Sequence, residues 1–384
     1  MAIFVINWVF GMIKKIGLLG GGQLGRMLIQ EAIDLDIEIH CLENDMNAPC
    51  AKIAHGFTKG LITDKQTVLD FGAAFDLITV EIENVSIEAL YELEALGKKV
   101  YPQPRVLELI RDKGVQKEFY KTHQIPTADF QLITDSNGLQ APMEFPFVQK
   151  LRVGGYDGKG VKIIRSQMDW DKRFTDPSVI EAMIPFEKEI SVIVARNETG
   201  EVKTFDAVEC EFNAEANLVE FQFSPAAISK EIEAKAQEIA KDVISRLNMV
   251  GLLAVEFFLT KAGELLVNEI APRPHNSGHH TIECCITSQF AQHLRAILNL
   301  PLGDTGIIKP GAMLNVLGEK GYNGLAVYEG LEEILEIPGV YVHLYGKSHT
   351  KPFRKMGHVT ILGDNLMDIK EKVKIVKNRF KCVA

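Results

Sequence analysis

The sequence predicts an α/β protein of two to three domains, and three observations lead to that fold class. Short apolar runs alternate with amphipathic helical patterns through the first third of the chain, an order typical of a parallel, doubly wound sheet. The chain has 384 residues, whereas an average domain has about 150. Its composition, 46% hydrophobic and 24% charged, is that of a soluble globular protein able to bury sizeable cores.

The first third of the chain has the order of a βαβ unit. We predict strands over 15–19 and 37–42, with a helix over 25–35 between them. A strand over 77–80 and a helix over 86–96 continue the alternation. These elements are expected to build one parallel sheet.

The apolar residues at the start of the sequence are expected to be an unstructured extension ahead of Met12. The run is too short to cross a bilayer, which takes about 20 residues. Its charges, Lys14 and Lys15, follow the apolar stretch instead of preceding it as in a signal peptide. A surface anchor is the alternative, and we expect deletion of residues 1–11 to leave activity intact.

Two changes of character divide the rest of the chain. A charged helix over 111–123 follows a Tyr-Pro-Gln-Pro segment, which indicates a first boundary there. A long amphipathic helix over 230–247 precedes a strand over 251–259, and a third region begins near Pro301. That region ends in a helix from about residue 365, with three lysines that suit the negative end of its dipole, Lys374, Lys377 and Lys381.

The net charge bears on the kind of partner that the protein binds, and the cysteine spacing bears on the compartment in which it works. The 42 Lys and Arg against 51 Asp and Glu leave a net charge of −9, which argues against a nucleic-acid partner. The six cysteines show no C-x-x-C pair and no framework spacing. We therefore expect them to be reduced, in a cytosolic protein.

A G-x-G-x-x-G segment at residues 20–25 lies between the first strand and the first helix. Glycines let the backbone approach a phosphate, and the helix N-terminus adds unpaired N–H groups. Glu43 follows Gly25 by 18 residues, where a dinucleotide-binding domain has its ribose-binding acid. The segment alone leaves three interpretations open: a dinucleotide, another phosphate ligand, or a tight turn without a ligand.

A second glycine-rich segment, KLRVGGYDGKGV at 150–161, lies between two apolar runs. Its four glycines would make a flap whose amides can close over a triphosphate, and Lys150 adds a positive charge. The segment lacks the G-x-x-x-x-G-K-[ST] spacing of a Walker loop. A mobile hairpin without a ligand is the alternative.

Two carboxylates are expected to face each other across a later hairpin. If its turn is centred on 262–263, Glu256 lies directly opposite Glu269. Opposed carboxylates repel, whereas a bound Mg²⁺ with nucleotide phosphates turns that repulsion into coordination. We expect Phe258 and Val267 to share this face and bury it in part. Solvated acids are the alternative, and a register shift of one residue would separate the two acids.

The loop at 271–280, directly after this hairpin, carries polar side chains suited to a substrate. His275 and His279 have the i, i+4 spacing of a zinc site, but a proline and a glycine in the loop argue against the continuous helix that such a site needs. We interpret the loop as a substrate cradle in which Arg273 holds an anion. A basic stretch at 345–358 is either a solvated loop or a site for a phosphate ester.

Together these segments resemble the ATP-grasp ligases, and within them the N5-carboxyaminoimidazole ribonucleotide synthetases of bacterial and fungal purine biosynthesis. The resemblance runs from about residue 14 to about residue 363 and rests on GLLGGGQLGRML, TVEIENV, QKLRVGGYDGKG, VNEIAPRPHNSGHH and KPFRKMGHVTILG. The last two separate this family from carbamoyl-phosphate synthetase, biotin carboxylase and D-alanine ligase. The resemblance implies an α/β fold of three domains after a disordered extension at 1–11: a Rossmann-like parallel-sheet domain at 12–112, an ATP-grasp domain at 113–300 and a small C-terminal domain at 301–384.

The same resemblance implies a reaction. ATP, bicarbonate and 5-aminoimidazole ribonucleotide would give the N5-carboxylated nucleotide, ADP and phosphate through carboxyphosphate, with Mg²⁺ as cofactor. We expect a cytoplasmic homodimer in IMP biosynthesis, with neither a nucleic acid nor a membrane as partner. The alternatives are another ATP-grasp ligase or carboxylase, a nucleotide sensor without activity, and an NAD-dependent oxidoreductase suggested only by residues 20–25 and Glu43.

Residue roles follow from the resemblance, motif by motif. Glu256 and Glu269 would hold Mg²⁺, and Arg273 and Asp157 would be catalytic. The expected ATP contacts are Lys113, Lys150, Gly155, Tyr156, Asp157, Gly158, Lys159, Gly160, Glu181, Ala182, Met183, Ile184, Glu189, Glu209, Asn268 and Glu269. The expected contacts of the aminoimidazole nucleotide are Gln23, Leu24, Glu81 (with Glu83 as the alternative), Tyr156, Asp157, Arg273, His275, Asn276, Lys347 and Arg354. Since Lys347 and Arg354 would clamp the 5′-phosphate, the C-terminal region must fold back on the N-terminal domain.

Overall fold

The computed structural model describes residues 13–135, 138–155, 160–213 and 218–384, without the side chains of residues 213 and 218. The expected extension at 1–11 lies outside these ranges. The N-terminal elements are β1 (Lys15–Leu19), α1 (Gln23–Asp34), β2 (Glu38–Glu43), β3 (Gly56–Lys59), α2 (Lys65–Gly72), β4 (Leu77–Val80), α3 (Ile87–Ala95), β5 (Lys99–Tyr101) and α4 (Pro104–Arg111).

The N-terminal sheet is parallel, as predicted, with strand order β3-β2-β1-β4-β5. Both of its faces are covered. Ile16 and Leu18 belong to one core with residues of α1, whereas Leu19 belongs to a second core with residues of α2 and α3. Burial on both faces explains why the central strands β1 and β4 are nearly continuous apolar runs in the sequence instead of alternating patterns.

The central region forms two antiparallel sheets. Its elements are α5 (Lys113–Thr122), β6 (Phe130–Ile133), β7 (Phe147–Leu151), β8 (Val161–Ile164), α6 (Gln167–Trp170), β9 (Ser178–Ala182), β10 (Phe186–Arg196), β11 (Val202–Thr204), β12 (Val208–Asn213), β13 (Leu218–Ser224), α7 (Lys230–Arg246), β14 (Gly251–Thr260), β15 (Leu265–Ala271), a 3₁₀ turn (Asn276–Gly278), α8 (Thr281–Cys284) and α9 (Gln289–Ile297). The smaller sheet has the order β6-β9-β7-β8.

The C-terminal strands extend the larger central sheet. They comprise β16 (Gly311–Leu317), β17 (Gly324–Leu325), β18 (Val327–Glu329), α10 (Leu331–Leu335), β19 (Val340–Leu344), β20 (His349–Thr350), β21 (Lys355–Leu362), α11 (Leu366–Arg379) and β22 (Lys381–Val383). Since β16 pairs with β13, the order of this sheet is β15-β14-β10-β12-β13-β16-β21-β19, with β11 beside β10. The chain is thus α/β in three parts, as predicted; the limits assigned to the parts stay predictions.

Side-chain caps account for the helix ends that the sequence predicted. Ser86 accepts from Ala89 N at the start of α3, and the Asn365 side chain accepts two backbone N–H groups at the start of α11. The prediction for Lys381 was wrong, because α11 ends at Arg379 and Lys381 pairs with Glu329 in the strand that follows. Lys377 does lie in the last turn of α11.

The largest core lies between α7 and one face of the larger sheet. Ala236, Ala240 and Val243 of α7 belong to it together with Val255 and Phe257 of β14. The opposite face of β10, β14 and β15 is divided. Ile193, Leu252 and Ala254 belong to a smaller apolar core there, whereas Ser191, Glu256 and Glu269 are polar. The site described next is built on that face.

Candidate active site

The two carboxylates predicted to oppose each other do so. Glu256 of β14 pairs directly with Glu269 of β15. Phe258 lies on the same face, because side chains on a strand alternate. The prediction for Val267 was wrong: it pairs with Phe257, and both are buried in the main core on the opposite face.

The turn and the strand register that produce this pairing differ from the predicted ones. Thr260 N donates to Glu264 O at 2.9 Å, so the turn has one more residue than predicted, with Gly263 at a φ of +80°. The register then shifts between Phe257 and Glu256, which makes Asn268 the extra residue of a bulge on β15. The longer turn and the bulge compensate each other, and the acids meet.

The environments of the two acids differ. Burial, together with the charges of Glu269 and Glu189, raises the pKa of Glu256. The ammonium group of Lys113 forms an ion pair with Glu269 and holds the pKa of that carboxyl below its usual range. Burial also raises the pKa of Glu189, two residues before Ser191 on β10, to about 7. The face therefore holds more acid than its cations balance, a charge distribution that a divalent cation would relieve.

Lysines connect the smaller sheet and α5 to this acidic face. Lys150 of β7 donates to Asn268 Oδ1 at 2.8 Å and to Glu181 Oε2 at 3.1 Å. Lys117 of α5 lies 3.2 Å from the same Glu181 oxygen. Burial would raise the pKa of Glu181, but the two lysines together lower it. Lys150 and Lys113 thus present their charge between the two sheets.

A cleft of about 470 Å³ opens beside the acid pair, lined by residues of β10 and β12 that include Glu189 and Glu209. Glu209 accepts from Lys188 Nζ at 2.8 Å. Of the expected ATP contacts, Glu181 and Ala182 of β9 pair with strands β6 and β7. Met183 and Ile184 belong to the connection from β9 to β10, and 41% of Met183 is exposed.

The loop after β15 is tied to the N-terminal sheet and to the acids. Arg273 Nε lies 2.9 Å from Glu83 Oε1. His275 Nε2 lies 3.7 Å from Glu256 Oε1, and His275 Nδ1 lies 2.9 Å from Ser277 Oγ. Within the described residues the buried Nδ2 of Asn276 has no hydrogen-bond partner.

Carboxylates already occupy the amides of the first glycine-rich loop. Glu81 accepts from Gly22 N and, at 2.6 Å, from Gly25 N, at the start of α1. Glu43 accepts from Gly21 N at 3.2 Å. Gly20 has a φ of +110°, and a Cβ there would overlap with Glu81. A phosphate at this helix N-terminus would be repelled by the charges of Glu81 and Glu43, which argues against the dinucleotide interpretation. Glu81 and Glu83 also have different contacts: Glu81 binds the loop amides, whereas Glu83 is the partner of Arg273. Gln23 and Leu24 lie half-buried in the first turn of the same helix.

The C-terminal basic stretch lies against the N-terminal domain, as its predicted role required. Tyr345 belongs to the core that contains β1 and α1. A Cβ built on Gly346 would lie 3.5 Å from Arg26 Nη1 of α1. Lys347 Nζ donates to Lys355 O at 2.8 Å, and Arg354 Nη1 to His349 O at 2.6 Å. Residues 345 and 346, at the start of the basic stretch, therefore pack against the N-terminal domain.

The second glycine-rich segment is described only in part. Leu151 N donates to Gly160 O at 2.8 Å, and Gly154 and Gly160 have φ angles of +82° and +81°. Gly155 lies beside Gly160. The expected contacts at Tyr156, Asp157, Gly158 and Lys159 lie outside the described residues.

Three family models match the chain in order. They are a ribonucleotide synthetase preATP-grasp domain over 13–111, an ATP-grasp domain over 118–290, and a phosphoribosylaminoimidazole carboxylase C-terminal domain over 311–372. The chain is 36% identical to the N5-carboxyaminoimidazole ribonucleotide synthase of Bacillus subtilis over 90% of this chain and 91% of that enzyme.

This chain belongs to the N5-carboxyaminoimidazole ribonucleotide synthetase family. The crystal structure of the synthetase from Thermotoga maritima is similar, with a TM-score of 0.89 and 41% identity over 97% of this chain and all of that one. The synthase from Aspergillus clavatus, in complex with ADP and 5-aminoimidazole ribonucleotide, is similar with a TM-score of 0.87 and 31% identity over 96% of this chain and 98% of that one. Among the described residues of this family member, no helix is long and apolar enough to span a membrane.

The residues at the acid pair fit a nucleotide with Mg²⁺. Carboxylate and amide oxygens are the ligands that Mg²⁺ takes from proteins, and phosphate oxygens and water complete its shell. Glu256, Glu269 and Asn268 supply such oxygens within one hairpin. In the described part of the chain no group of three or more His, Cys, Asp or Glu residues forms a metal cage.

Sequence reasoning missed three members of the site. Lys117 follows Lys113 by four residues, so both lie on one face of α5, a spacing that could have revealed it. Ser191 is recognisable only from its pairing with Glu256. Gln289 joins the loop to α9: its side chain accepts from His275 N at 2.8 Å and donates to His275 O at 2.7 Å. No local pattern points to this bond.

Proposed function

We propose that this chain carboxylates 5-aminoimidazole ribonucleotide with bicarbonate at the expense of ATP. Its relatives are named for the carboxylated product, N5-carboxyaminoimidazole ribonucleotide. The single observation that carries the proposal is the acid pair, Glu256 opposite Glu269, with Lys113 and Lys150 beside it between two sheets. This arrangement suits transfer of a phosphoryl group, in which the protein positions the reactants and neutralises developing charge.

In the proposed first step a bicarbonate oxygen attacks the γ-phosphorus of ATP. The bond from that phosphorus to the β–γ bridging oxygen breaks, ADP leaves, and carboxyphosphate forms. Lys150 and Lys113 stabilise the negative charge on the phosphate oxygens. Glu256 and Glu269 would hold Mg²⁺, which supplies further neutralisation of that charge when bound. The cleft that Glu189 and Glu209 line is the proposed nucleoside site, and Met183 and Ile184 precede the strand that forms one of its walls.

In the second step carboxyphosphate delivers its CO₂ unit to the amine of the aminoimidazole. An N–C bond forms, the bond from the carboxyl carbon to the phosphate oxygen breaks, and inorganic phosphate leaves with the proton that the amine loses. Arg273 is suited to hold the carboxyl anion because its charge lies beside Glu83, with Nε 2.9 Å from Glu83 Oε1, and its Nη1 donates to Pro274 O at 3.1 Å. The planar guanidinium has further N–H groups that can donate to an anion. His275 and Asn276 complete this side of the pocket, and the buried Asn276 Nδ2, which has no hydrogen-bond partner among the described residues, is proposed to donate to the nucleotide. Lys347 and Arg354 are the proposed clamp on the 5′-phosphate.

A closed site is required because carboxyphosphate reacts with water. The flap of residues 154–160, with Asp157 as its proposed catalytic member, would provide the closure. Its two glycines of positive φ permit the backbone to turn over the phosphates. We further propose a cytoplasmic homodimer. The six cysteines are free, as a reducing compartment favours, and light scattering tests the dimer.

Phosphate release from ATP tests the proposed function. We expect release that depends on both 5-aminoimidazole ribonucleotide and bicarbonate, and that disappears when EDTA removes Mg²⁺. Omitting the ribonucleotide or bicarbonate in turn provides the controls. Release that the ribonucleotide does not stimulate would refute the assignment, and tight binding of NADH would favour the oxidoreductase instead.

A further inference from the structure

The bulge on β15 decides whether the acid pair exists. If the pairing of Phe257 with Val267 continued without a bulge, Glu256 would oppose Asn268. Glu269 would then oppose Val255 and turn to the core face, where Val255 has no exposed surface. A bulge costs ladder hydrogen bonds, so something outside the hairpin must stabilise it.

The residues that follow α5 provide this support. β15 is the edge strand of the larger sheet, so Val267 has backbone groups that no strand pairs on its outer side. Val267 N donates to Pro126 O at 2.7 Å. Thr127 Oγ1 donates to Val267 O at 2.7 Å. Both polar groups of the residue directly before the bulge are therefore held by the 126–127 segment.

Lys117 orients the Thr127 hydroxyl. Lys117 Nζ lies 2.6 Å from Thr127 Oγ1, and its side chain is almost fully buried. An ammonium group only donates, so the hydroxyl accepts from Lys117 and must turn its own proton elsewhere. The Val267 carbonyl receives that proton. The hydroxyl thus links the buried lysine to the strand that carries Asn268 and Glu269.

We propose that Thr127 is a positioning residue for the reaction, because its hydroxyl holds the bulge that places Glu269 opposite Glu256 and Asn268 against Lys150. The inference rests on the proposed function only in taking the acid pair as the Mg²⁺ site. Thr127 itself touches neither acid, and it acts through the backbone of Val267.

Three variants test this role. Thr127→Val keeps the shape and removes the hydroxyl, Thr127→Ser restores it, and Thr305→Val is the matched control. Thr305 Oγ1 donates to the backbone carbonyl of Thr204 at the same 2.7 Å, in a bond that joins β11 to the segment before β16. The measurement is the Kd of ADP by titration calorimetry, once with Mg²⁺ and once with EDTA, together with the melting temperature of each variant.

We expect Thr127→Val to weaken ADP binding about fivefold in Mg²⁺, the factor that corresponds to one hydrogen bond, and to leave binding in EDTA unchanged. Thr127→Ser should bind like the wild type, and Thr305→Val should lower only the melting temperature. Equal Mg²⁺ dependence in Thr127→Val and Thr305→Val would overturn the proposal, as would a Thr127→Ser variant that does not restore binding. Should Thr127→Val fail to fold, Thr127→Ala against Thr127→Ser decides the same question.

The outcomes for the wild type separate this inference from the proposed function. ADP binding that does not respond to Mg²⁺ would overturn the metal assignment and the role of Thr127 with it. Mg²⁺-dependent ADP binding without any turnover of the aminoimidazole nucleotide would refute only the proposed reaction.

Discussion

Replacing Glu269 by Gln should reduce turnover far more than it reduces stability. The carboxylate forms an ion pair with Lys113, and the two side chains are 43% and 21% exposed. Solvent screens a pair so exposed, and its loss costs about 1 kcal/mol of unfolding free energy. Loss of a contact that stabilises transition-state charge lowers turnover by about 10²–10³, or roughly 3–4 kcal/mol. The rise in activation free energy is therefore larger than the loss of unfolding free energy.

Glu256→Gln is the matched variant, since it removes the same charge from the other side of the pair. The contact of Glu256 with His275 Nε2 spans 3.7 Å, which is too long for a hydrogen bond. The carboxyl group is also buried near Glu269 and Glu189, and this environment raises its pKa. The change should leave the unfolding free energy unchanged or slightly higher, while turnover falls as far as in Glu269→Gln.

Urea unfolding and phosphate release against Mg²⁺ concentration measure the two effects. We expect the two variants to differ in their free energy of unfolding, although both replace a carboxylate by an amide and both lose the same amount of activity. Unchanged Mg²⁺ dependence in Glu269→Gln would refute the metal role. A Glu256→Gln variant less stable than Glu269→Gln would refute the assigned electrostatics.

Three further outcomes are expected. Lys347→Ala should raise the KM for the aminoimidazole nucleotide but not for ATP, and equal effects on both would contradict the phosphate clamp. Burial lowers the pKa of His293 to about 4. Below about pH 6.5 the unfolded state therefore binds a proton that the folded state does not bind. The free energy of unfolding should keep its full value above that pH and fall by about 3 kcal/mol as the pH reaches 4. His293→Gln, which can still bond Thr79 Oγ1, should remove this loss in urea unfolding, and parallel pH curves for the two proteins would contradict it. Glu81→Gln should lower stability by about 1–2 kcal/mol, because an amide oxygen cannot replace both carboxylate oxygens at the start of α1; an unchanged melting temperature would exclude that role.

The sequence predicted the helices and strands well where local signals define them. Asn365 and Ser86 are side chains that cap the first turn of a helix, and apolar runs such as that of β4 are typical of buried strands. Lys381 shows the limit of such signals. Its position suits a helix end, but its pairing with Glu329 places it in a strand, and that partner lies far away in the sequence.

The acid pair shows a prediction that reached the right result for the wrong reason. The pattern indicated that Glu256 and Glu269 oppose each other, but the turn was longer than predicted and a bulge restored the register. Nothing within the hairpin sequence indicates that bulge. It is stabilised by Thr127, which lies 140 positions before Val267.

Motifs and periodicity, which are local properties, were sufficient for the class of fold, the family and the identity of the main polar side chains. Only the tertiary structure decided what each of them contacts. Glu81 takes the amides of α1 while Glu83 takes Arg273, and Lys117 joins Thr127 to the bulge. These contacts depend on which distant segment supplies the hydrogen-bond partner or the opposite charge for each side chain. That is determined only when the sheets pack together.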